Sequence, residues 1–326
     1  MLRYIIKRIL YAIPILIGVN LITFMLFFMV NTPEDMARAQ LGAKRVTPEM
    51  IEAWKVDKGY DKPLFINNKA SGVAKVTDTL FVQESLKLFR FDFGLSDANR
   101  NIAEDIKERM IPSLSIALPT FFIALITNIS LALLLVLFRG SALDTGMMMV
   151  AVMIMSISGL FYIIAGQVLF SKIWHWVPIS GYAEGWASIK FVILPIFIGV
   201  FAGLGSGVRW YRSIFLEQIN QDYVRTARAK GLSELRVMFV HVLKNGMLPI
   251  LTGVVVVIPT LFMGSLIMES FFGIPGLGSY TIDAINAQDF AIVKAMVFLG
   301  SVLYIIGLVL TDISYTLFDP RVTLGA

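Results

Sequence analysis

The sequence predicts an all-α integral membrane protein with six transmembrane helices and a small helical insertion between the first two. Three observations carry that prediction. Of 326 residues, 57% are hydrophobic and only 16% charged, and the mean hydropathy is +0.75, too apolar for a soluble domain. Charge-free apolar stretches long enough to cross a bilayer recur along the chain. Basic residues gather in the segments that alternate spans would leave on one face. The isoelectric point near 9.3 is therefore read as an orientation signal, and no nucleic-acid partner is expected. The chain has no cysteine, and His175 and His241 are its two histidines. Disulfides, thiolate chemistry and a histidine-based metal cluster are excluded, and no catalytic or metal-binding residue is expected.

The first span covers 9–30 and follows Arg3, Lys7 and Arg8; it is too long for a signal-peptide core and is read as a retained anchor. Residues 31–110 form the one long polar region, with basic and acidic residues balanced at thirteen each, and long domains translocate regardless of charge. Within it Thr47, Pro48 and Glu49 read as a helix start, 67–72 as a loop, and Ile102, Ile106 and Met110 as a helical stripe running until Pro112. This subdomain either contacts a soluble partner or covers the outer mouth. Five further spans are expected at 111–138, 145–171, 191–208, 245–268 and 295–311, within a core of 111–318 that precedes a tail at 319–326. An even number of spans puts both termini on one side. The positive-inside rule makes that side cytoplasmic, with Arg139, Arg209, Arg212, Arg225, Arg228, Lys230, Arg236, Lys244 and Arg321, against Lys172, Lys190 and Lys294 in the short outer loops.

Gly199, Gly203 and Gly207 form a small-residue series that allows close approach of another helix, in this chain or in a partner. Asn128, Ser156, Ser158 and Gln167 are polar groups at membrane depth, which line a pathway or bond their own backbone or a neighbouring helix. The run 272–280, with Gly273, Pro275, Gly276 and Gly278, is expected to be too irregular for a helix and is a candidate outer gate that re-enters the membrane. Trp174, His175 and Trp176 read as an interfacial aromatic belt, and Asp312 as a group that pairs or reaches the interface.

The most informative segment is the basic stretch 217–249, inside a cytoplasmic loop at 212–249. Leu216, Ile219, Tyr223 and Ala227 predict one apolar helical stripe, with Asp222, Arg225, Arg228 and Lys230 on the other faces. Gly231 stops that helix. Ser233 and Glu234 start another, with Leu232 and Val237 spaced as a hydrophobic staple. Helix, sharp turn, helix is a rigid unit with a polar tip. It either grips a partner or lies at the interface alone.

The run from Asp222 to Ser233, continuing to Lys244, Asn245, Leu248 and Pro249, closely resembles the EAA-type loop of inner-membrane permeases of binding-protein-dependent ABC importers, in particular the dipeptide/oligopeptide family. Ala227 and Gly231 stand at that loop's second alanine and its glycine, whereas Arg225 stands at the general motif's glutamate. Further similarity lies in 2–8 with Pro14, in 91–96, in 176–182, in 269–278 and in Asp319, Pro320 and Arg321. In order and spacing these cover nearly the whole chain.

The resemblance implies a type I importer permease fold in a bacterial inner membrane, and a second homologous permease, two cytoplasmic ATPases and a periplasmic binding protein as partners. The chain has no GxxxxGK[ST] phosphate loop, so ATP and magnesium are expected on the ATPase subunits and no cofactor here. Asp222, Tyr223, Arg225, Ala227, Arg228, Gly231 and Glu234 are then the residues expected to couple to the ATPases. Tyr223, Ala227 and Gly231 would form the packing centre, and Arg225, Arg228 and Glu234 the rim. Peptides are the cargo the resemblance favours; nickel complexes, oligosaccharides and peptide-like antibiotics are alternatives. An ion-coupled secondary transporter would show paired repeats and midplane acids, and a membrane scaffold would need no elbow.

Overall fold

The computed structural model describes residues 2–30, 32–42 and 46–318, and among them the regular elements are helices joined by turns, with one isolated bridge between Leu95 and Asn101. The expected tail at 319–326, with Arg321, lies outside the described residues. Five helical stretches are long and apolar enough to cross a membrane: Ile6–Met29, Ile102–Leu137, Gly185–Ile219, Glu234–Met263 and Phe290–Ser314. The remaining expected span, 145–171, is not one rod. It is a pair, Ala142–Ser156 and Gly159–Ile173, bent by 89°. The break falls at Ile157, whose backbone is extended, between two serines and before a glycine. The Ser156 hydroxyl bonds back to the Val152 carbonyl at 2.8 Å, and the Tyr162 hydroxyl donates to the Ile154 carbonyl at 2.9 Å, covering a helix end that the break leaves open.

The chain divides into two compact units. The first comprises residues 1–107 and 283–305. It contains α1 (Leu2–Met25), which continues as a π turn to Val30, then α2 (Pro33–Leu41), α3 (Pro48–Lys58), α4 (Ala74–Thr77) and α5 (Leu80–Phe89). Threonines start three of these helices: Thr32 in a capping box with Asp35, Thr47 accepting from the Met50 N–H as expected, and Thr79 accepting from the Val82 N–H. Its core is aromatic. Phe24, Phe28, Met36 and Leu80 are buried, with Trp54, Tyr60, Phe65 and Phe81 packed around them, and the Phe24 ring meets Phe65 and Phe81 edge-on at 5.3 and 5.2 Å.

The second unit comprises 108–282 and 306–326. The stripe that begins at Ile102 does not stop at Pro112: α6 (Ile102–Leu137) runs through Pro112 and Pro119. The Ser115 hydroxyl donates back to its own helix, at the Pro112 carbonyl 2.6 Å away. Next come α7 (Ala142–Ser156), α8 (Gly159–Gly166) with a π turn to Ile173, and α9 (Ile189–Ile219). Asp144 and Arg212 tie α7 to α9 with two parallel bonds of 2.9 and 2.7 Å.

The glycine series on α9 is only partly a packing seam. A methyl group on Gly199 would stand 2.8 Å from Thr120, and one on Gly207 would collide with Asn128, so both pack against α6 within the chain. Gly203 meets nothing within 4 Å inside this chain, whereas the unpredicted Gly205 presses on the Ala151 carbonyl of α7.

Candidate functional site

The elbow begins where α9 ends at Ile219. The expected continuous stripe from Leu216 to Ala227 is broken at Asn220 and Gln221, because the Asn220 amide turns back to the Leu216 carbonyl at 3.0 Å and the chain restarts as α10 (Asp222–Ala229). The restart rotates the apolar face. Val224 is fully buried and Ala227 nearly so, while Tyr223 is half-buried with its hydroxyl donating to Gln218 at 2.9 Å. Val224 is thus buried where the sequence assigns Tyr223, Tyr223 packs half-buried against the same core, and Ile219 and Ala227 are buried in it. Together they join a core of Ala132, Val136, Phe215, Val237, Met238 and Ile250.

Gly231 is the turn. Its φ of +76° is left-handed, its N–H donates to the Arg228 carbonyl at 2.9 Å, and the next N–H, from Leu232, reaches the Ala227 carbonyl at 3.4 Å. This pair of bonds closes a helix by a Schellman turn, which glycine enters without the Cβ penalty. A side chain at Gly231 would find open space, so only the backbone angle demands glycine. Ser233 has the extended backbone of a helix start, but its side chain makes no cap bond. The fixing contact lies elsewhere: Arg228 donates to both carboxylate oxygens of Glu234 at 2.8 and 3.0 Å, forking across the turn. The chain then runs through α11 (Glu234–Arg236) and a π turn, Val237–Val242, into α12 (Leu243–Val257). Leu232 and Val237 both pack on the same core, as a staple would.

Of the predicted rim residues, Arg228 and Glu234 are thus spent on each other. Arg225 projects outward, with 76% of its side chain exposed, and donates at 3.4 Å to Asp222, whose side chain is 95% exposed. Leu235, Phe239 and Val240 are also exposed, at 59, 58 and 48%. These apolar positions extend the presented surface beyond the tip, and the signal for them was their mismatch with the buried stripe of Val237 and Val242.

The candidate gate takes a different form from the one expected. After α12 a 3₁₀ turn, Ile258–Met263, leads to α13 (Leu266–Phe272), which ends at Gly273 with φ +62°. From Leu277 the run becomes helical again, as α14 (Leu277–Ala287), so 272–280 is not irregular throughout. Gly276 and Gly278 do not form a flexible flap. A methyl group on Gly264 or Gly276 would collide with the carboxylate of Glu269, and one on Gly278 would stand 2.5 Å from the Ser265 backbone. Glu269 is 1% exposed and accepts from the Ser113 hydroxyl at 2.8 Å and from the N–H groups of Ser265, Gly278 and Ser279 at 3.0, 2.7 and 3.1 Å. The Ser113 hydroxyl in turn accepts from the Leu277 N–H at 2.8 Å. Pro275 lies in the turn between α13 and α14.

The candidate pathway polar groups are not brought together. Asn128 is buried against Gly207, Ser156 bonds its own helix, Ser158 sits at the break after α7, and Gln167 clasps the Ile179 and Phe271 carbonyls at 2.9 and 3.0 Å. None of them lines the 410 Å³ cavity of this unit, whose walls include Ser113, Thr120, Gly199, Thr260, Met268 and Glu269. Among the described residues no group of His, Asp or Glu is arranged to hold a metal ion.

Residues 128–324 match the family described as the binding-protein-dependent transport system inner membrane component, and residues 1–117 match its N-terminal counterpart. The chain belongs to this family. It is a multi-pass inner-membrane component of a binding-protein-dependent transport system. Similar proteins align along essentially their full length. One from Brucella abortus, named for a peptide transport system permease, is 33% identical over 99% of both chains. The oligopeptide transport system permease protein AppB of Bacillus subtilis is 28% identical and the dipeptide transport system permease protein DppB of Escherichia coli 27% identical, again over 99% of each chain.

Proposed function

We propose that this chain is one of two homologous permease subunits of an ATP-driven importer for peptides, delivered by a periplasmic binding protein, and that its elbow docks on a cytoplasmic ATPase. The relatives' names support the peptide cargo. The distribution of basic residues supports an orientation with both termini in the cytoplasm. ATP and magnesium are bound by the ATPase subunits. Closure of the ATPase pair draws the two elbows together and tilts the spanning helices, opening the path outward to the loaded binding protein; hydrolysis resets it. Coupling of this kind needs a part stiff enough to transmit a displacement between two discrete states.

The observation that carries the reading is the elbow's construction. Val224 and Ala227 root α10 in the core, the Arg228–Glu234 fork and the Gly231 turn fix its angle, and Asp222, Arg225, Leu235 and Phe239 remain presented. The test is Gly231→Asp in the assembled importer. The open space around Gly231 leaves the chain folded in the membrane, while the left-handed backbone penalises the new residue by about 1–2 kcal/mol and a negative charge enters the docking surface. ATP-dependent peptide uptake is expected to be abolished with the permease still present at normal level. Unchanged uptake would refute the docking role.

A further inference from the structure

In the first unit, α5 closes in a way that its backbone chemistry disfavours. Phe91, two residues beyond its end, has a left-handed φ of +57°; its N–H donates to the Leu88 carbonyl at 2.9 Å, and the Asp92 N–H donates to the Lys87 carbonyl at 3.0 Å. The elbow makes the same turn with Gly231, but here a phenylalanine occupies the position that suits glycine. A bulky side chain is strained there, and strain of this kind gathers at functional positions. Packing alone does not account for it: the ring leans edge-on against Phe93 and Phe298, yet Phe91 is 52% exposed. We infer that the end of α5 is seated in the outer leaflet of the bilayer, with Leu86, Phe89 and Phe91 at the edge of the acyl chains and Lys87 and Arg90 at the level of the lipid phosphates.

The depth follows from α15 (Phe290–Phe318), on which this turn rests. Phe89 and Phe91 both meet Phe298 edge-on, with ring centroids 5.5 and 6.1 Å from it. Phe298 belongs to the apolar stretch Phe290–Ser314, which has 25 residues. A helix of that length rises about 37 Å, against a hydrocarbon layer about 30 Å thick, so wherever the layer is placed along the stretch its outer edge falls no later than about residue 295. Phe298 therefore lies inside the acyl region, and the rings that touch it reach the same boundary. Leu86, one turn before Phe89 on α5, and Val297, beside Phe298, are half-exposed, as lipid-facing positions would be.

The charges near the turn suit this depth. Lys294, one turn before Phe298 and so on its water side, pairs with Glu84 in a buried contact, and the Lys87 ammonium bonds the other Glu84 oxygen at 2.9 Å. Asp92 turns away with the departing chain and accepts from the Gly94 N–H at 3.2 Å. Arg90, exposed between the two aromatic positions, has a stem long enough to return its head to the phosphates. Exposed rings interleaved with long basic side chains are the chemistry of the membrane–water interface, where the rings meet the acyl boundary and the cations meet phosphate.

The chain has no cysteine, so single spin labels report their own sites. In the full chain in vesicles of phosphatidylethanolamine and phosphatidylglycerol, labels on Leu86→Cys and Phe89→Cys are expected to collide freely with oxygen, which concentrates among acyl chains. Their collisions with a water-soluble nickel chelate should be severalfold fewer than those of a label on Val73→Cys, a 79% exposed position of the same unit. Phe91→Gly relieves the backbone strain and keeps the turn, so the chain stays folded while the ring is lost; nickel access at the Leu86→Cys label should then rise severalfold. Nickel access equal to that at Val73→Cys overturns the inference and makes the end of α5 a solvent-facing surface. Protection from both reagents also overturns it, because another protein surface then covers the site. A Leu86→Cys label that Phe91→Gly leaves unchanged overturns the role given to the Phe91 ring. None of these outcomes depends on the cargo or on coupling to an ATPase.

Discussion

The elbow at 222–242 and the cradle at 264–280 are built around the same device and use it to opposite ends. In each, a short helix closes on a left-handed glycine, Gly231 or Gly273, with paired backbone bonds from the two residues that follow the last turn. The elbow then fastens itself with a surface fork between Arg228 and Glu234 and an apolar root, leaving its polar tip in solvent. The cradle turns its only charge inward, where four donors converge on the Glu269 carboxylate. A turn that must be gripped keeps its charges outside. A turn that must hold several strands of backbone in one place spends its charge on them.

The contrast can be broken most severely at Glu269. Glu269→Ala would leave the Ser113 hydroxyl and three N–H groups buried without an acceptor; at about 1–3 kcal/mol for each orphaned donor, the expected loss is roughly 4 kcal/mol or more. Denaturant unfolding in detergent should show it, with Glu269→Gln losing less because an amide oxygen still accepts. A near-neutral Glu269→Ala would mean that the donors find other partners and the cradle is incidental.

The elbow's root gives an intermediate effect. Ala227 is 4% exposed among packed side chains, so Ala227→Leu overfills the site at about 1–3 kcal/mol and tips α10 away from its angle. Transport should fall further than stability does; equal losses would say that the elbow's angle is not what matters. The smallest change is expected from the fork. Glu234 is half exposed, and Glu234→Gln should cost no more than about 1 kcal/mol, shrinking as salt is raised. A salt-independent loss of several kcal/mol would move the fork from the surface class into the buried class and erase its contrast with the cradle.

Much of this was legible from residues alone. The elbow's position, the Gly231 stop and the staple of Leu232 and Val237 follow from spacing and from glycine's backbone freedom, which act locally. The break at Asn220 was not legible, because an asparagine amide competes for a helix carbonyl only where the flanking packing lets it, and Val224, which the stripe did not include, is the fully buried residue beside a half-buried Tyr223. Pro112 misled in the other direction. Proline commonly ends helices in water, but a spanning helix tolerates it where its surroundings shelter the freed carbonyl, and α6 runs on through Pro112 and Pro119. Glu269 stood in plain view beside four glycines, yet its partners Ser113 and Ser279 lie 156 and 10 residues away, and no local pattern announces a long-range acceptor. The paired Glu84 and Lys294 are hidden for the same reason, 210 residues apart.

The right-angled pair at Ala142–Ser156 and Gly159–Ile173 has a consequence for the surrounding lipid. Each arm holds 15 residues, about 22 Å of helix at 1.5 Å per residue, whereas the hydrocarbon layer is about 30 Å thick. Neither limb can bridge that layer alone, and a knee between them cannot be laid along the membrane normal. The bilayer beside this segment must therefore pinch inward, or a neighbouring protein must shield it, beside the knee where the Tyr162 hydroxyl and the Ile157 N–H share the Ile154 carbonyl.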